Sequence, residues 1–341
     1  MSERAERAWR PTILDVAARA GVSKSLVSRA LRDAPTVSPA RRAAVRQAAE
    51  ELGYRPNAVA RSLVQRRSHT VGVMVSDLHN LFFAEVLDGV EAVAAGHGYR
   101  VLIVTGNRDR AAEEQALETL LELRTDAVIL ASSRLSLRSV AAARQSVPVT
   151  LVARAARVAG VDTVTNDDGR GARLAVEHLA SLGHRRIALV DGGSGPGSAA
   201  RRRGYRAAMG ALGLADEIGV AAGDFTDEGG YRGARSLLTG SSRPTAICAG
   251  NDLAATGVLT ALAEAGLRVP ADVSLVGYDN TALAALRHVS LTTIHQPRTE
   301  MGEAAMRAAL RRLDGGAGRA RRLVLQPSLV QRATTASPAA S

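Results

Sequence analysis

The chain is 341 residues long, 46% hydrophobic and 23% charged, with a formal net charge of +11 and a mean hydropathy near zero. That length allows two or three domains with sizeable cores, and no apolar run approaches the ~18 residues of a membrane-spanning helix. A single cysteine, Cys248, rules out an internal disulfide, and a single lysine, Lys24, rules out lysine chemistry elsewhere.

The first eleven residues, MSERAERAWRP, lack the apolar stretch of a secretory signal, so a cytoplasmic protein is expected. The charge is unevenly placed. Residues 1–69 carry 14 Lys/Arg against 6 Asp/Glu, whereas the remaining 272 carry 30 against 27. A basic head on a nearly neutral body suggests a module for a polyanion joined to a module for something else.

From 12 to 53 the pattern predicts three short helices. Thr12 is the first N-cap, followed by Ile13, Val16, Ala17 and Ala20 at helical spacing, and Gly21 ends the helix. Ser23 caps a second helix with Leu26, Val27, Ala30 and Leu31 inward, leaving Lys24, Ser25, Ser28 and Arg29 outward. Ser38 and Pro39 open a third, which runs through Val45, Ala48 and Leu52 to Gly53. Three helices with tight turns make an all-α helix-turn-helix head. The outward row suits the DNA major groove, where Lys and Arg donate to guanine and Ser serves a base or a phosphate.

The segment VARSLVQRRS after Asn57 could form two helical turns, but alone it is too short to be stable. From Val71 onward, aliphatic runs at 71–75, 101–104, 127–130, 147–152, 187–190, 245–248 and 273–278 alternate with helical patterns near 82–95, 110–123, 169–182, 199–212, 227–239 and 251–265. Such alternation predicts doubly wound parallel sheet with helices on both faces. The echo between GHGYRVLIV at 96 and GHRRIALV at 183 suggests two Rossmann-like lobes with a ligand cleft between them.

The run TILDVAARAGVSKSLVSRALRDAPTVSPARRAAVRQAAEELGYRPNAVARSL at 12–63 resembles the DNA-binding head and hinge of the LacI/GalR family of transcriptional regulators. NDLAATG at 251, DVSLVGYDN at 272 and LTTIHQPRTEMGEAA at 291 resemble that family's periplasmic-binding-protein-like core. The resemblance implies a helix-turn-helix domain at 11–56, a hinge helix and linker at 57–69, and an effector-binding and dimerisation core at 70–332. Residues 333–341, with neither apolar period nor charge, are expected to be a disordered tail.

By the same resemblance, Asn57 and Ala60 lie in a hinge that contacts DNA, and Leu63 matches the leucine that wedges into a minor-groove base step. Arg201, in RRRGY, matches the arginine that reaches ligand oxygens. Asn251 and Asp279 follow strands and fall where a cleft belongs, and Phe83 and Phe225 match aromatic wall positions. Asp77 and Asn80 are further candidates, though both are ordinary loop residues. One departure is Ala153, in LVAR, where many members carry an acid.

The expected function is therefore a ligand-responsive regulator, with repression the expected sense and activation the alternative. It binds palindromic double-stranded operator DNA as a homodimer and answers to a carbohydrate-like small-molecule effector. No cofactor, no metal and no membrane partner are expected. The competing reading is a DNA-binding head fused to a sugar or sugar-phosphate enzyme. Against it, the one phosphate-cradle lookalike, DGGSGPGS at 191–198, has no lysine, and the histidines lack metal-binding spacing.

Overall fold

The computed structural model describes residues 11–55, 67–240, 243–316 and 318–339. The chain divides into two units, one ending at Ser68 and one beginning at His69.

In the first unit, helices α1 (Ile13–Arg19), α2 (Lys24–Ala30) and α3 (Pro39–Glu51) enclose a small core of Val16, Val27, Ala30, Val37, Val45 and Ala48. Thr12 caps α1 through a capping box: its hydroxyl accepts the Asp15 N–H, and the Asp15 carboxylate accepts the Thr12 N–H at 2.7 Å. Gly21, at φ +63°, takes the left-handed turn that swings the chain into α2, and the Ser23 hydroxyl accepts the Leu26 N–H at 3.3 Å.

The second unit holds two six-stranded sheets. Strands β1 (Thr70–Val75), β2 (Arg100–Thr105), β3 (Ala127–Ala131), β4 (Val149–Val152) and β5 (Asp162–Asn166) form the first, in the order β5-β4-β3-β1-β2. The second contains β6 (Ile187–Val190), β7 (Gly219–Ala221), β8 (Ala246–Ala249), β9 (Ser274–Asp279) and β10 (Thr292–His295), in the order β10-β9-β8-β6-β7. Two late strands complete them. β11 (Arg322–Leu325) extends the first sheet parallel to β5, and β12 (Ser328–Val330) extends the second antiparallel to β10.

Both faces of each sheet are buried, which explains the continuous apolar runs. Val71, Val73 and Val75 join one core layer and Met74 the opposite one, and Ile187 and Leu189 are likewise separated from Val190.

The chain crosses between lobes three times, at 166–168, at 296–298 and at 325–328. The last helix, Arg298–Leu313, therefore returns to the first lobe and packs on the helix Phe82–Gly96. Gly89 and Gly302 let these two backbones touch, because a Cβ on either would collide with the other helix's main chain.

The tail departs from expectation. Thr334 and Thr335 are buried. The Leu275 N–H donates to the Thr334 carbonyl at 2.8 Å, the Thr334 hydroxyl donates to the Leu275 carbonyl at 2.7 Å, and the Ala336 N–H donates to Ser274 Oγ at 3.1 Å. Small Thr, Ser and Ala side chains give no apolar period, yet they let the segment lie against the second sheet and satisfy the start of its inner strand β9 by hydrogen bonds.

Candidate functional site

On the head, Thr12, Ser23, Lys24, Ser25 and Arg29 are exposed and Ser28 is half-buried. Arg32 donates to the Ser28 hydroxyl and carbonyl, each at 2.9 Å, which holds a second guanidinium beside the same helix. Asn57, Ala60 and Leu63 lie outside the described residues.

Between the two lobes lies a cleft of about 60 Å³, lined by Phe83, Arg201, Phe225, Asn251 and Asp279 together with Asp77 and Asn80. The chain has three phenylalanines; all of them, Phe82 included, line this cleft. Phe82 and Phe83 meet edge to face at 5.2 Å between ring centroids. Phe225 sits at φ +68°, a left-handed backbone uncommon for a bulky residue. Its ring occupies space that Cβ atoms on Gly192 and Gly195 would fill, so those glycines are its seat.

Arg201 comes from the helix Ser198–Ala211. Its Nε donates to Asp168 Oδ1 at 2.9 Å and its Nη1 to the Gly250 carbonyl at 2.6 Å, while its guanidinium carbon lies 3.6 Å from the Tyr278 ring centroid and 5.3 Å from that of Phe225. Burial works against the charge, but neighbouring Asp168 and Asp279 outweigh it and raise the Arg201 pKa.

Asn251 is a helix cap and a wall residue at once. Its Oδ1 accepts the Ala254 N–H at 2.8 Å and its Nδ2 donates to the Phe225 carbonyl at 3.2 Å. Asp279 ends β9 at φ +116° and accepts from Gln296 Nε2 at 2.6 Å. Burial pushes its carboxyl up to about 7 despite Arg201 at 3.8 Å, and the buried Asp252 nearby adds to the rise. A fixed guanidinium, carboxyls, side-chain amides and three aromatic faces can bind a hydroxylated, partly apolar small molecule.

Elsewhere, burial pushes the Cys248 thiol up to about 12, which suits a small hydrophobe in a strand. Among the described residues no cluster of His, Cys, Asp or Glu could hold a metal ion, and no helix is long and apolar enough to cross a membrane.

The profile of bacterial regulatory proteins of the lacI family matches residues 12–57, and that of periplasmic binding protein-like domains matches 176–335. The ribose operon repressor of Escherichia coli (strain K12) is 36% identical over 325 residues, covering 94% of this chain and 98% of the relative. The chain belongs to the LacI family of bacterial regulatory proteins.

Solved LacI-family structures agree in fold. The lac repressor dimer bound to operator and the anti-inducer ONPF superposes with a TM-score of 0.84 at 30% identity, covering 96% of this chain and all of that one. A LacI transcriptional regulator from a Rhodococcus species is 41% identical, with a TM-score of 0.74 over 79% of this chain and 98% of that one.

Within this LacI-family cleft, sequence reasoning missed Phe82, Asp168, Asp224 and Gln296. Phe82 could have been found from the scarcity of phenylalanine. Asp168 and Gln296 sit beside the lobe crossings, and nothing in the linear sequence marks them.

Proposed function

We propose that the protein is a ligand-responsive transcriptional repressor of the LacI family, acting in the cytoplasm as a homodimer on palindromic operator DNA. The head at 11–56 reads the major groove through Lys24, Ser25, Ser28 and Arg29, and the hinge at 57–69 inserts Leu63 into the minor groove, with Thr12, Ser23, Asn57 and Ala60 on the DNA side. A carbohydrate or carbohydrate derivative enters the cleft against Phe83, Phe225, Arg201, Asn251 and Asp279 and shifts the balance of lobe arrangements that sets operator affinity.

The observation that carries this reading is that all five candidate effector residues line one cleft between two lobes, in a chain that also presents a basic helix-turn-helix face. The relatives are repressors, and one takes its name from a ribose operon. The reading is non-catalytic.

A thermal-shift screen of sugars, followed by operator binding with each hit, tests it. Effector coupling of about 1–3 kcal/mol, or 5- to 150-fold in operator affinity, is expected. Operator binding that survives deletion of residues 1–69, or turnover of a sugar by the purified protein, would overturn it.

A further inference from the structure

The cleft opens outward into a second cavity of about 580 Å³, with Arg108, Arg134, Asp168, Gly195 and Pro196 on the shared boundary. The inner chamber alone falls well below the ~300–1,000 Å³ of ordinary ligand pockets, and the outer one brings the pair into that range. A ligand seated on Arg201 and Phe225 therefore has room to extend outward.

The outer chamber is strongly cationic. Arg108, Arg110, Arg134, Arg154 and Arg203 line it, and Asp168 is the one carboxylate among the lining residues. Asp168 is already held by Arg201. The acids near the arginines neutralise them poorly. Asp77 and Asp224 stand 3.9 and 3.6 Å from Arg108, and Glu114 3.9 Å from Arg110. Glu113 is fully buried beneath them, and its oxygens accept from Ser76, Ser133 and the N–H groups of Arg134 and Leu135.

Three buried donors in this cluster, Arg108 Nε, Arg134 Nε and Arg154 Nη1, have no hydrogen-bond partner among the described residues. Burial also lowers the Arg154 pKa, and Glu113 restores only part of it. Such donors cost free energy unless an acceptor arrives.

The opposite wall is the glycine-rich loop DGGSGPGS leading into the helix Ser198–Ala211. Ser194, Gly195, Gly197, Ala199 and Ala200 face the cavity. Gly197, at φ +86°, is the N-cap and offers no side chain to satisfy the first-turn N–H groups. The Ser198 and Ala200 N–H groups already donate to the Gly195 and Gly197 carbonyls, at 3.1 and 3.0 Å, and the Asp168 carboxylate lies beside Gly197, so the anion attraction of this chamber comes from the five guanidinium groups that line it. The loop has no lysine of its own; arginines line its chamber and supply the charge instead.

We propose that this outer chamber is an anion subsite and that the effector is a phosphorylated sugar, its hydroxylated part in the inner cleft and its phosphomonoester among the arginines. This rests on the effector reading above. A phosphomonoester presents three acceptor oxygens and close to two negative charges at neutral pH, which matches a chamber lined by five arginines and one carboxylate that is already paired.

The test is calorimetry on the full chain at pH 7.5 and low salt. The probes are inorganic phosphate, ribose against ribose 5-phosphate, and glucose against glucose 6-phosphate. At least one ester should bind ten-fold or more tighter than its parent sugar and tighter than inorganic phosphate. The doubly substituted Arg134→Gln, Arg154→Gln protein should lose that advantage. So should Arg110→Glu with Arg203→Glu, which changes exposed side chains and leaves the fold untouched.

Esters no tighter than their parent sugars, inorganic phosphate as tight as every ester, or unchanged binding in both variants at an unchanged melting temperature each overturn the proposal. If neutral sugars alone bind and alter operator affinity, the effector reading stands and the anion subsite falls. If esters bind through the arginines and none alters operator affinity, the anion subsite stands and the effector reading falls.

Discussion

The guanidinium of Arg201 lies flat against Tyr278, 3.6 Å from the ring centroid, while its Nε reaches Asp168 on the first helix of the second lobe. This stacking explains how a charged side chain only 11% exposed is held at one orientation in the cleft. Tyr278 is fixed in turn by Asn166, whose Nδ2 donates to its hydroxyl at 3.0 Å from the end of the first lobe. The cleft arginine is thus tied to a lobe crossing.

Replacing that arginine removes a cation from half-buried Asp168 and from buried Asp279. Arg201→Met should cost up to about 3–5 kcal/mol of core stability, since buried Asp279 and half-buried Asp168 lose it. Urea denaturation measures this, and a loss below about 1 kcal/mol would show that the pair is not held as described.

Asp279 and Asp252 give the core a pH dependence of defined sign. Burial raises their carboxyls to about 7 and about 6, above the ordinary value near 4. The folded state then binds protons more tightly than the unfolded one. Their contribution is full below about pH 4 and is lost as pH rises to about 7. Asp279→Asn keeps an acceptor for Gln296 and removes the charge, so the variant should decline less than the wild type between pH 5 and 8. Parallel stability curves over that range would refute this.

The head offers a salt-dependence test. Lys24 and Arg29 are exposed on one helix. If either contacts a phosphate, its change to Ala lowers the slope of log affinity against log salt by about 1, whereas loss of a base contact costs about 1–3 kcal/mol at one operator position and leaves the slope alone. Thr12→Ala should cost about 1 kcal/mol of head stability through the lost cap. A cap variant as stable as the wild type would deny the capping box a role.

Truncation after Arg332 tests the tail. Removing Thr334 and Thr335 leaves the Thr292 N–H, the Leu275 carbonyl and the Leu275 N–H on the second sheet without partners. At about 1–3 kcal/mol for each buried group left unsatisfied, the melting temperature should fall by several degrees. A truncated chain that melts with the intact one would restore the disordered tail that composition suggests.

The head was legible in the sequence almost residue by residue, because caps, turn glycine and apolar spacing all act within a few residues. The cleft was legible through five side chains at strand and helix ends. β5 escaped notice because DTVTN has no apolar run; its Asp162 is buried only because Arg311, Arg312 and the Arg321 N–H reach it from the far end of the chain. The arginine chamber was invisible for the same reason. Arg108, Arg134, Arg154 and Arg203 are scattered over nearly a hundred positions, and only folding collects them.

The late return of the helix Arg298–Leu313 bears on how the chain is made. Its Met301, Ala305, Met306, Ala309 and Leu310 belong to the same core as Val71, Val73 and Phe82. A ribosome must synthesise β6 to β10 of the second lobe before that cover emerges. During that interval the nascent first lobe keeps one apolar face open to water, where trigger-type chaperones hold emerging chains. Slow translation or chaperone depletion should therefore harm the first lobe before the second, and a fragment ending before Arg298 should aggregate through that open face.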